Sequence, residues 1–198
     1  MYKRQAFYNF CKKAEVDSDN EYFFIIDEIN RGNLSKIFGE LFMLIENDKR
    51  GNALQLLYSD EKFAVPENVY IIGMMNTADR SLAMLDYALR RRFAFFDIKP
   101  GFETPGFREY RMALDNEKFN KLISCVENLN GVIASDESLG EGFCIGHSYF
   151  CNLQPDTIND DWLYGVVEYE LIPLLKEYWF DEPMKVKDWS ENLRSTIK

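Results

Sequence analysis

Two apolar runs that each end in polar side chains constrain this chain more than any other feature. Tyr22–Ile26 is followed by Asp27 and Glu28, and a second run, Val69–Met75, is followed by Asn76. Continuous runs of this length are typical of strands in a parallel sheet covered on both faces. Ligands bind beyond the carboxyl ends of such strands. The sequence therefore predicts an α/β domain with these three polar residues at one ligand-binding edge.

Further strand and helix patterns alternate along the first half of the chain, as α/β domains require. Apolar residues at helical spacing predict a helix over residues 34–45 with Asn33 as its cap. A β-hairpin is predicted from Ala53–Tyr58 and Lys62–Val65. The remaining predicted elements are a helical stretch at Gln5–Ala14, a short helix at Leu82–Leu89 and a third strand at Phe93–Ile98.

A turn-rich segment at residues 99–106, with two Pro-Gly pairs, predicts a linker. The patterns after it are helical, and we expect a small helical domain. One predicted helix carries the apolar face Phe119, Leu122, Ile123, Val126 and Leu129. A second runs from Trp162 to about Leu171, with Asp160 or Asp161 as its cap and a bend or restart at Pro173. The last is predicted from about Asp188 to Thr196. The predicted domains are residues 1–99 and residues 107–198.

Composition excludes several classes of protein. The chain has 198 residues, and its 46% hydrophobic content is too high for a disordered protein. With 23 basic and 33 acidic residues the net charge is −10, which argues against coating nucleic acid through bulk charge. No apolar run reaches the roughly 18 residues that a membrane span needs. The four cysteines form no C-x-x-C pair, so we expect reduced thiols and a cytoplasmic protein without a zinc site.

The acidic pair suits the chemistry of a magnesium nucleotide. Asp27 is a candidate magnesium ligand, since Mg²⁺ is bound through carboxylates and bridges phosphates, and Glu28 is a candidate for polarising an attacking water. Asn76 is a candidate for orienting that water or contacting a γ-phosphate. Taken alone, Asp27 and Glu28 fit equally well a strand that ends in two solvated acids, and Asn76 alone fits a turn-forming asparagine better.

Three consecutive arginines, Arg90, Arg91 and Arg92, precede the predicted third strand. Guanidinium groups stabilise the charge on a transferred phosphoryl group and are often supplied by a neighbouring subunit. An exposed basic cluster that binds carboxylates or nucleic acid is the alternative.

The order of these features is that of an AAA+ nucleotidase, and the sequences of the individual motifs point to one family within that class. The segments IDEINRGN (26–33), IFGEL (37–41), MNTADRS (75–81) and ALRRRF (88–93) resemble the McrB family, the GTP-hydrolysing subunits of modification-dependent restriction systems. In the second half, IGHSYF (145–150) and IPLL (172–175) add to the resemblance. It extends from about Phe23 to Phe180 and implies a partial AAA+ core with a hairpin insertion, followed by an α-helical lid.

The resemblance also implies roles for single residues. Asp27 corresponds to the Walker B magnesium residue, Glu28 to the catalytic glutamate and Asn76 to sensor 1. Arg91 and Arg92 correspond to fingers that reach the nucleotide of the adjacent subunit. Asp79 is assigned a structural role at the subunit boundary, and residues 146–149, which include His147, lie where a lid element can approach the nucleotide or simply pack.

One part of the family pattern is missing, because no glycine of this chain is followed by lysine and there is therefore no Walker A loop, G-x-x-x-x-G-K-[ST]. Mg²⁺ and GTP, or ATP, are thus implied for the complete module, and this chain alone is expected to hydrolyse neither nucleotide.

The first functional hypothesis is that the chain is part of a McrB-type GTPase that acts with a McrC-like nuclease and contacts DNA indirectly. The alternative is a non-catalytic interaction module that offers Arg fingers or an assembly surface to AAA+ subunits. A third option is an ATP-using remodelling relative of the MoxR type.

The missing loop has a structural consequence. The strand that carries it lies in AAA+ sheets between the strand ending at Asn76 and the last strand. We expect the gap to be closed by direct pairing of Val69–Met75 with Phe93–Ile98, or by a strand from another copy, since domain swapping is a low-cost route to such pairing. Self-association or ring assembly with AAA+ subunits follows from this expectation.

Overall fold

A computed structural model describes residues 2–32, 38–56, 61–76, 78 and 90–198. It divides the chain into two compact units, residues 1–96 and residues 97–198. The sequence draws its boundary at the Pro-Gly segment, residues 99–106. Predicted features at residues 33–37, 57–60 and 79–89, among them Asn33, Asp79 and the helix Leu82–Leu89, lie outside the described residues.

A two-stranded parallel sheet forms the centre of the first unit. Strand β1 (Tyr22–Ile26) pairs with strand β4 (Val69–Gly73), in register from Tyr22 opposite Val69 to Ile26 opposite Gly73. Helix α1 (Tyr2–Glu15) covers one face of this sheet, and Phe7 on α1 meets Phe24 on β1 edge to face at 5.1 Å between ring centroids. The predicted strands and the predicted N-terminal helix are therefore present.

The second face of this sheet is exposed among the described residues. Burial alternates along β1, and Phe23 and Ile25 are 50% and 60% exposed. On β4 the neighbouring Tyr70 and Ile72 are each 44% exposed. Among the described elements, α1 covers one face and none covers the other, so the coverage of the second face stays a prediction. The exposed residues on that second face are apolar too, which is why the hydrophobic run in the sequence is uninterrupted.

Two further short elements are described in the first unit. The apolar pattern predicted as a helix forms 3₁₀ turns over Gly39–Ile45, with Phe38, Leu41 and Ile45 buried against the sheet. The predicted hairpin is present as the short antiparallel strands β2 (Leu54–Gln55) and β3 (Lys62–Phe63). The described part of the predicted helix is thus a tighter helix than its spacing indicated.

The third strand, predicted at Phe93–Ile98, is absent from the structure. Residues 94–100 carry no regular secondary structure, and within the described residues β4 pairs with β1 alone. The proposed direct pairing of Val69–Met75 with Phe93–Ile98 therefore does not form. Phe96 and Ile98 are both 88% exposed, since an apolar strand without a neighbour to pair with has no ladder to join.

The second unit is helical, as predicted. Its helices are α2 (Pro105–Leu114), α3 (Glu117–Ser135), α4 (Asp160–Gly165), α5 (Ile172–Tyr178) and α6 (Pro183–Thr196). The predicted apolar face of α3 is fully buried in one core with residues of the other helices, and Trp179 lies in the same core. None of the described helices combines the length and apolar character needed to cross a membrane.

Three of the described helices in the second unit, α2, α3 and α4, begin at side-chain caps. Thr104 and Asn116 accept hydrogen bonds from backbone N–H groups at the starts of α2 and α3. The cap of α4 is Asn159, whose Oδ1 accepts from the Trp162 N–H at 2.8 Å, and not Asp160 or Asp161 as predicted. Those two acids lie in the first turn, where they favour the positive end of the helix dipole.

Proline accounts for the other differences. Before Pro173 the chain forms π-helical turns over Val166–Leu171, and α5 restarts at Ile172. Pro173 has no N–H to donate to a carbonyl of the preceding turn. The regular α-helical hydrogen bond is therefore missing at this position, and the helix changes its pitch before Pro173. The last helix begins at Pro183, five residues before the predicted Asp188, because proline is well suited to the first helical position.

Candidate functional site

The turn after β1 holds the two acids. Glu28 adopts a left-handed backbone conformation with φ of +51°, and its N–H donates to Asp27 Oδ1 at 2.9 Å. Both carboxylates are exposed, and Glu28 Oε2 lies 3.1 Å from Arg31 Nε. A left-handed residue other than glycine costs free energy, and such residues cluster at functional sites. The turn thus has a strained backbone at Glu28 and presents two carboxylates to solvent at the end of a strand.

Backbone hydrogen bonds tie this turn to the end of β4. The Met74 N–H donates to Ile26 O at 2.9 Å, and the Ile29 N–H donates to Met74 O at 2.9 Å. Beyond them, Asn30 Nδ2 lies 3.5 Å from Asn76 O. The structure therefore brings the acidic pair and Asn76 to one edge of the sheet, at the carboxyl ends of two adjacent parallel strands.

A glycine allows this close approach. Gly73, the last residue of β4, faces the buried side chain of Ile29. A Cβ atom at position 73 would lie 2.4 Å from Ile29 Cδ1 and 3.3 Å from Ile29 Cβ. Any larger residue would force the Ile29 side chain to shift. Position 73 is therefore a point of close contact between the two halves of the candidate site.

Two carboxamides occupy the edge, and sequence reasoning identified one of them. Asn76 is exposed, and its Oδ1 accepts from the Ala78 N–H at 3.0 Å, which is the turn geometry of the alternative interpretation. Asn30 was missed. Its Oδ1 is buried and has no hydrogen-bond partner in the part of the chain that the structure describes. The available signal was its position, directly after the acidic pair and Ile29.

The arginine cluster separates into different environments. The Arg92 side chain is 6% exposed, with Nη2 at 2.5 Å from Glu46 Oε1 and its guanidinium carbon 4.2 Å from the Phe42 ring centroid. Arg91 is exposed, and Arg90 lies over the Phe95 ring at 5.9 Å. Arg92 is thus engaged within the first unit, whereas Arg91 presents its charge to solvent.

The edge fits a magnesium ion brought in by a nucleotide. No cluster of three or more potential metal ligands is found among the described residues. Mg²⁺ at nucleotide sites is held through one or two carboxylates together with phosphates and waters. The exposed Asp27 carboxylate supplies such a ligand, and Glu28 adds negative charge next to it. Asp27 is therefore the residue of this edge that would hold the ion.

His147 lies inside the second unit. Its Nδ1 accepts from the Gly101 N–H at 2.9 Å, and its ring contacts Phe102 and Phe107 edge to face. A Cβ at Gly101 would lie 2.9 Å from the His147 ring. The Pro-Gly segment predicted as a linker is therefore anchored on this unit, and His147 is a hydrogen-bonded packing residue in it.

Comparisons with known proteins agree with this geometry. The model of the AAA domain, dynein-related subfamily, matches residues 2–93, and that of the McrB alpha-helical lid domain matches residues 121–187. The two matches follow the order of the two units. The chain is a McrB-like AAA+ protein. Its fold class, an α/β AAA core with a parallel sheet followed by a helical lid, is confirmed.

Two curated relatives support the assignment. The chain is 52% identical over 204 residues to the type IV methyl-directed restriction enzyme EcoKMcrB subunit of Escherichia coli K12, a match that covers 96% of this chain and 44% of the relative. It is 28% identical over 159 residues to the type II restriction enzyme BsuMI component YdiS of Bacillus subtilis 168, covering 66% of this chain and 44% of that protein. The chain thus spans less than half the length of these relatives.

Proposed function

We propose that this chain supplies the hydrolytic edge and the lid of a McrB-type nucleotide hydrolase, the motor subunit of a restriction system that acts on modified DNA. The observation that carries the proposal is the shared edge, where Ile29 and Met74 join the Asp27–Glu28 turn to the segment before Asn76. The resemblance to McrB favours GTP over ATP. We place the protein in the cytoplasm, in a ring of AAA+ subunits with a McrC-like nuclease, with DNA contacted indirectly.

Each residue of the edge then has a separate task. Asp27 would hold Mg²⁺, which neutralises phosphate charge when bound. Glu28 would accept a proton from the attacking water, a role open to an exposed carboxylate at this position. Asn76 would orient that water through its side-chain amide. For this Asn76 must release the Ala78 N–H that its Oδ1 accepts here.

The structure supports different tasks for the two arginines assigned to catalysis. Exposed Arg91 is free to extend toward the nucleotide of an adjacent subunit, where a guanidinium group stabilises the charge on the transferred phosphoryl. Arg92 contacts Glu46 and Phe42 of its own chain. We therefore assign the finger to Arg91 and assign Arg92 to holding the segment that presents it.

The chain by itself is proposed to be inactive, because it has no Walker A loop to bind the β- and γ-phosphates. A non-catalytic module that lends Arg91 and an assembly surface to AAA+ partners is the second candidate, and the exposure of Arg91 favours it. Titration with labelled GTP and ATP in the presence of Mg²⁺ tests the proposal. We expect neither nucleotide to be turned over, and Mg²⁺-dependent turnover that Glu28→Gln abolishes would contradict the inactivity.

A further inference from the structure

The second unit exposes two aromatic side chains next to each other on one helical segment. Tyr164 is 51% exposed and Tyr169 is 73% exposed. Their rings meet edge to face, with centroids 6.1 Å apart and planes at 82°. Tyrosine is enriched at protein interfaces, because its ring supplies contact area and its hydroxyl group a hydrogen bond. These two residues, which we call the tyrosine pair, lie outside the hydrolytic edge and have no task in the proposed function.

The π-helical turns over Val166–Leu171 bring the two rings together. In an α-helix of 3.6 residues per turn, side chains five residues apart point about 140° away from each other around the axis. In π-helical turns each N–H donates to the carbonyl five residues back, as the Ile172 N–H does to Val167 O. Residues five apart, such as Tyr164 and Tyr169, therefore come close to lying one above the other. Single π-helical turns occur frequently at functional sites, so the local backbone favours a role for the pair.

The tyrosine pair lies away from the point where the chain enters the second unit. The entering segment is held by the hydrogen bond from Gly101 to His147, and the stretch just before His147 is bonded to Asn130 on α3. Helix α4, which carries Tyr164, begins beside Lys118 at the other end of α3, about 18 Å along that helix from Asn130. The pair therefore belongs to a surface of the lid that is distant from its connection to the first unit.

The backbone beside the tyrosine pair is accessible. A Cβ at Gly165, which lies between the two tyrosines in sequence, would meet no atom within 4 Å. Pro173, four residues after Tyr169, is exposed as well. Small or rigid residues thus flank the rings, and a partner would lose little side-chain entropy on covering them.

The second unit carries nearly all of the negative charge of the chain. Residues 97–198 hold 19 of the 33 acidic residues and 10 of the 23 basic residues, so their net charge is −9 out of a total of −10. Complementary charge steers partners toward each other and suppresses wrong ones. The lid is therefore matched to a basic partner.

The acids beside the tyrosine pair divide into two kinds. Asp160 and Glu168 form ion pairs with a lysine and an arginine of the same unit. Asp161, one helical turn before the pair, and Glu170, directly after it, are exposed and form no ion pair among the residues that the structure describes. A guanidinium group stacks on aromatic rings and donates hydrogen bonds to carboxylates. Rings next to two carboxylates are thus the surroundings that an arginine side chain prefers.

We propose that the tyrosine pair is the docking site for a basic segment of another protein, with an arginine side chain seated against the rings and hydrogen-bonded to Asp161 or Glu170. A second copy of this chain is a poor occupant, because two chains of net charge −10 repel each other. Lysine is a poorer anchor than arginine, since its ammonium group is a compact charge without a planar face to stack. The proposal goes beyond the proposed function and needs no nucleotide.

Titration of the 198-residue chain with a dye-labelled peptide of eight arginines tests the proposal, and a peptide of eight lysines is the comparison. We expect the arginine peptide to bind more tightly. Tyr169→Ala is expected to weaken its binding about fivefold, the effect of losing one cation–π contact, whereas Tyr169→Phe keeps the ring and the affinity. Met112→Ala, which removes a 70% exposed side chain from α2, is the matched control and should change nothing.

Two further measurements locate the bound peptide. Glu170→Gln and Glu137→Gln each remove one exposed acid, so they alter the net charge equally, and only Glu170→Gln is expected to weaken binding by about twofold or more. In a chain labelled with ¹⁵N-glycine, the amide resonance of Gly165 should shift on addition of the arginine peptide, whereas that of Gly131 on α3 should not.

Several results would overturn the proposal. They are no binding of the arginine peptide, equal binding of the lysine peptide, unchanged affinity in Tyr169→Ala, an equal loss in Met112→Ala, an equal loss in Glu137→Gln, or a Gly165 resonance that does not move. A wild-type dimer that Tyr169→Ala dissociates would assign the surface to a second copy of the chain, and this would also overturn the proposal. None of these readouts depends on nucleotide hydrolysis, so they stand or fall separately from the proposed function.

Discussion

Gly73 couples the two halves of the candidate site through a single steric contact. Because a Cβ there would lie 2.4 Å from Ile29 Cδ1 and 3.3 Å from Ile29 Cβ, the Ile29 side chain must shift in any variant. We expect Gly73→Ala to lower the free energy of unfolding of the first unit by about 1–3 kcal/mol, the usual cost of overpacking. Chemical denaturation followed by circular dichroism measures this change.

Gly131→Ala is the matched control. Gly131 lies within helix α3, and a Cβ there would meet no atom within 4 Å. Alanine in a helix interior is favoured over glycine by about 1 kcal/mol, so this variant is expected to be stabilised. If both variants change stability in the same direction, the contact with Ile29 does not limit the approach of the two strands.

Arg91 and Arg92 are adjacent in sequence and are expected to respond in opposite ways. Arg92→Ala removes the partner of Glu46 and the cation over Phe42, and we expect a loss of about 3 kcal/mol in unfolding free energy. Arg91→Ala changes an exposed side chain and should shift stability by less than about 0.5 kcal/mol. Comparable losses in the two variants, measured by denaturation, would contradict the division into an anchor and a finger.

At the scale of elements, the helices of the second unit depend on a buried carboxylate. Asp136 follows α3, and its carboxylate accepts from Lys185 Nζ at 2.6 Å, from the Ser138 N–H at 2.9 Å and from Trp179 Nε1 at 2.8 Å. The ion pair with Lys185 on α6 and these hydrogen bonds hold the pKa of Asp136 well below its ordinary value. Three segments of the lid are thereby joined at one residue.

The direction of this pKa shift fixes a pH dependence. A carboxyl group with a lowered folded-state pKa contributes stability above the unfolded pKa of about 3.9 and loses it as pH falls through the folded pKa. The second unit is therefore expected to lose stability below about pH 4. Asp136→Asn should cost about 2 kcal/mol near neutral pH, as hydrogen bonds to charged groups do, and should flatten the acid limb.

Glu137→Gln is the control for this prediction, because Glu137 is the neighbouring acid and is exposed. Thermal unfolding of the three proteins between acid and neutral pH makes the comparison. An acid limb in Asp136→Asn as steep as that of the wild type would show that other carboxylates govern the loss.

The elements also mark where sequence reasoning succeeded and failed. Local patterns were enough for β1, for the buried face of α3 and for the shared edge of Asp27 and Asn76, because period and strand direction determine them. The strand predicted at Phe93–Ile98 failed because a strand needs a pairing partner, which its own residues do not encode. Asn159 was missed as a cap because two acids directly after it are equally good cap residues. The roles of Asp27, Glu28, Asn76, Arg91 and Arg92 remain predictions.

At the scale of the whole molecule, the two units differ in how much of their apolar surface is buried among the described residues. The second has a continuous core that buries residues from every one of its described helices. In the first, Phe23, Ile25, Tyr70 and Ile72 are exposed on one face of the sheet, and within the described residues β4 pairs with β1 alone. The unpaired backbone groups at such a sheet edge can form hydrogen bonds with a further strand. A polypeptide that carries a Walker A loop would supply a neighbouring strand and would also supply phosphate binding.

Phosphate release tests the central claim, that Asp27, Glu28 and Asn76 form a hydrolytic edge. The chain is mixed with a polypeptide from a McrB-type subunit that carries the Walker A loop and ends before its own Walker B strand. With Mg²⁺ and GTP we expect release from the mixture and from neither component alone. Glu28→Gln should abolish it, while Glu137→Gln leaves it unchanged. Release that persists in Glu28→Gln would contradict the account.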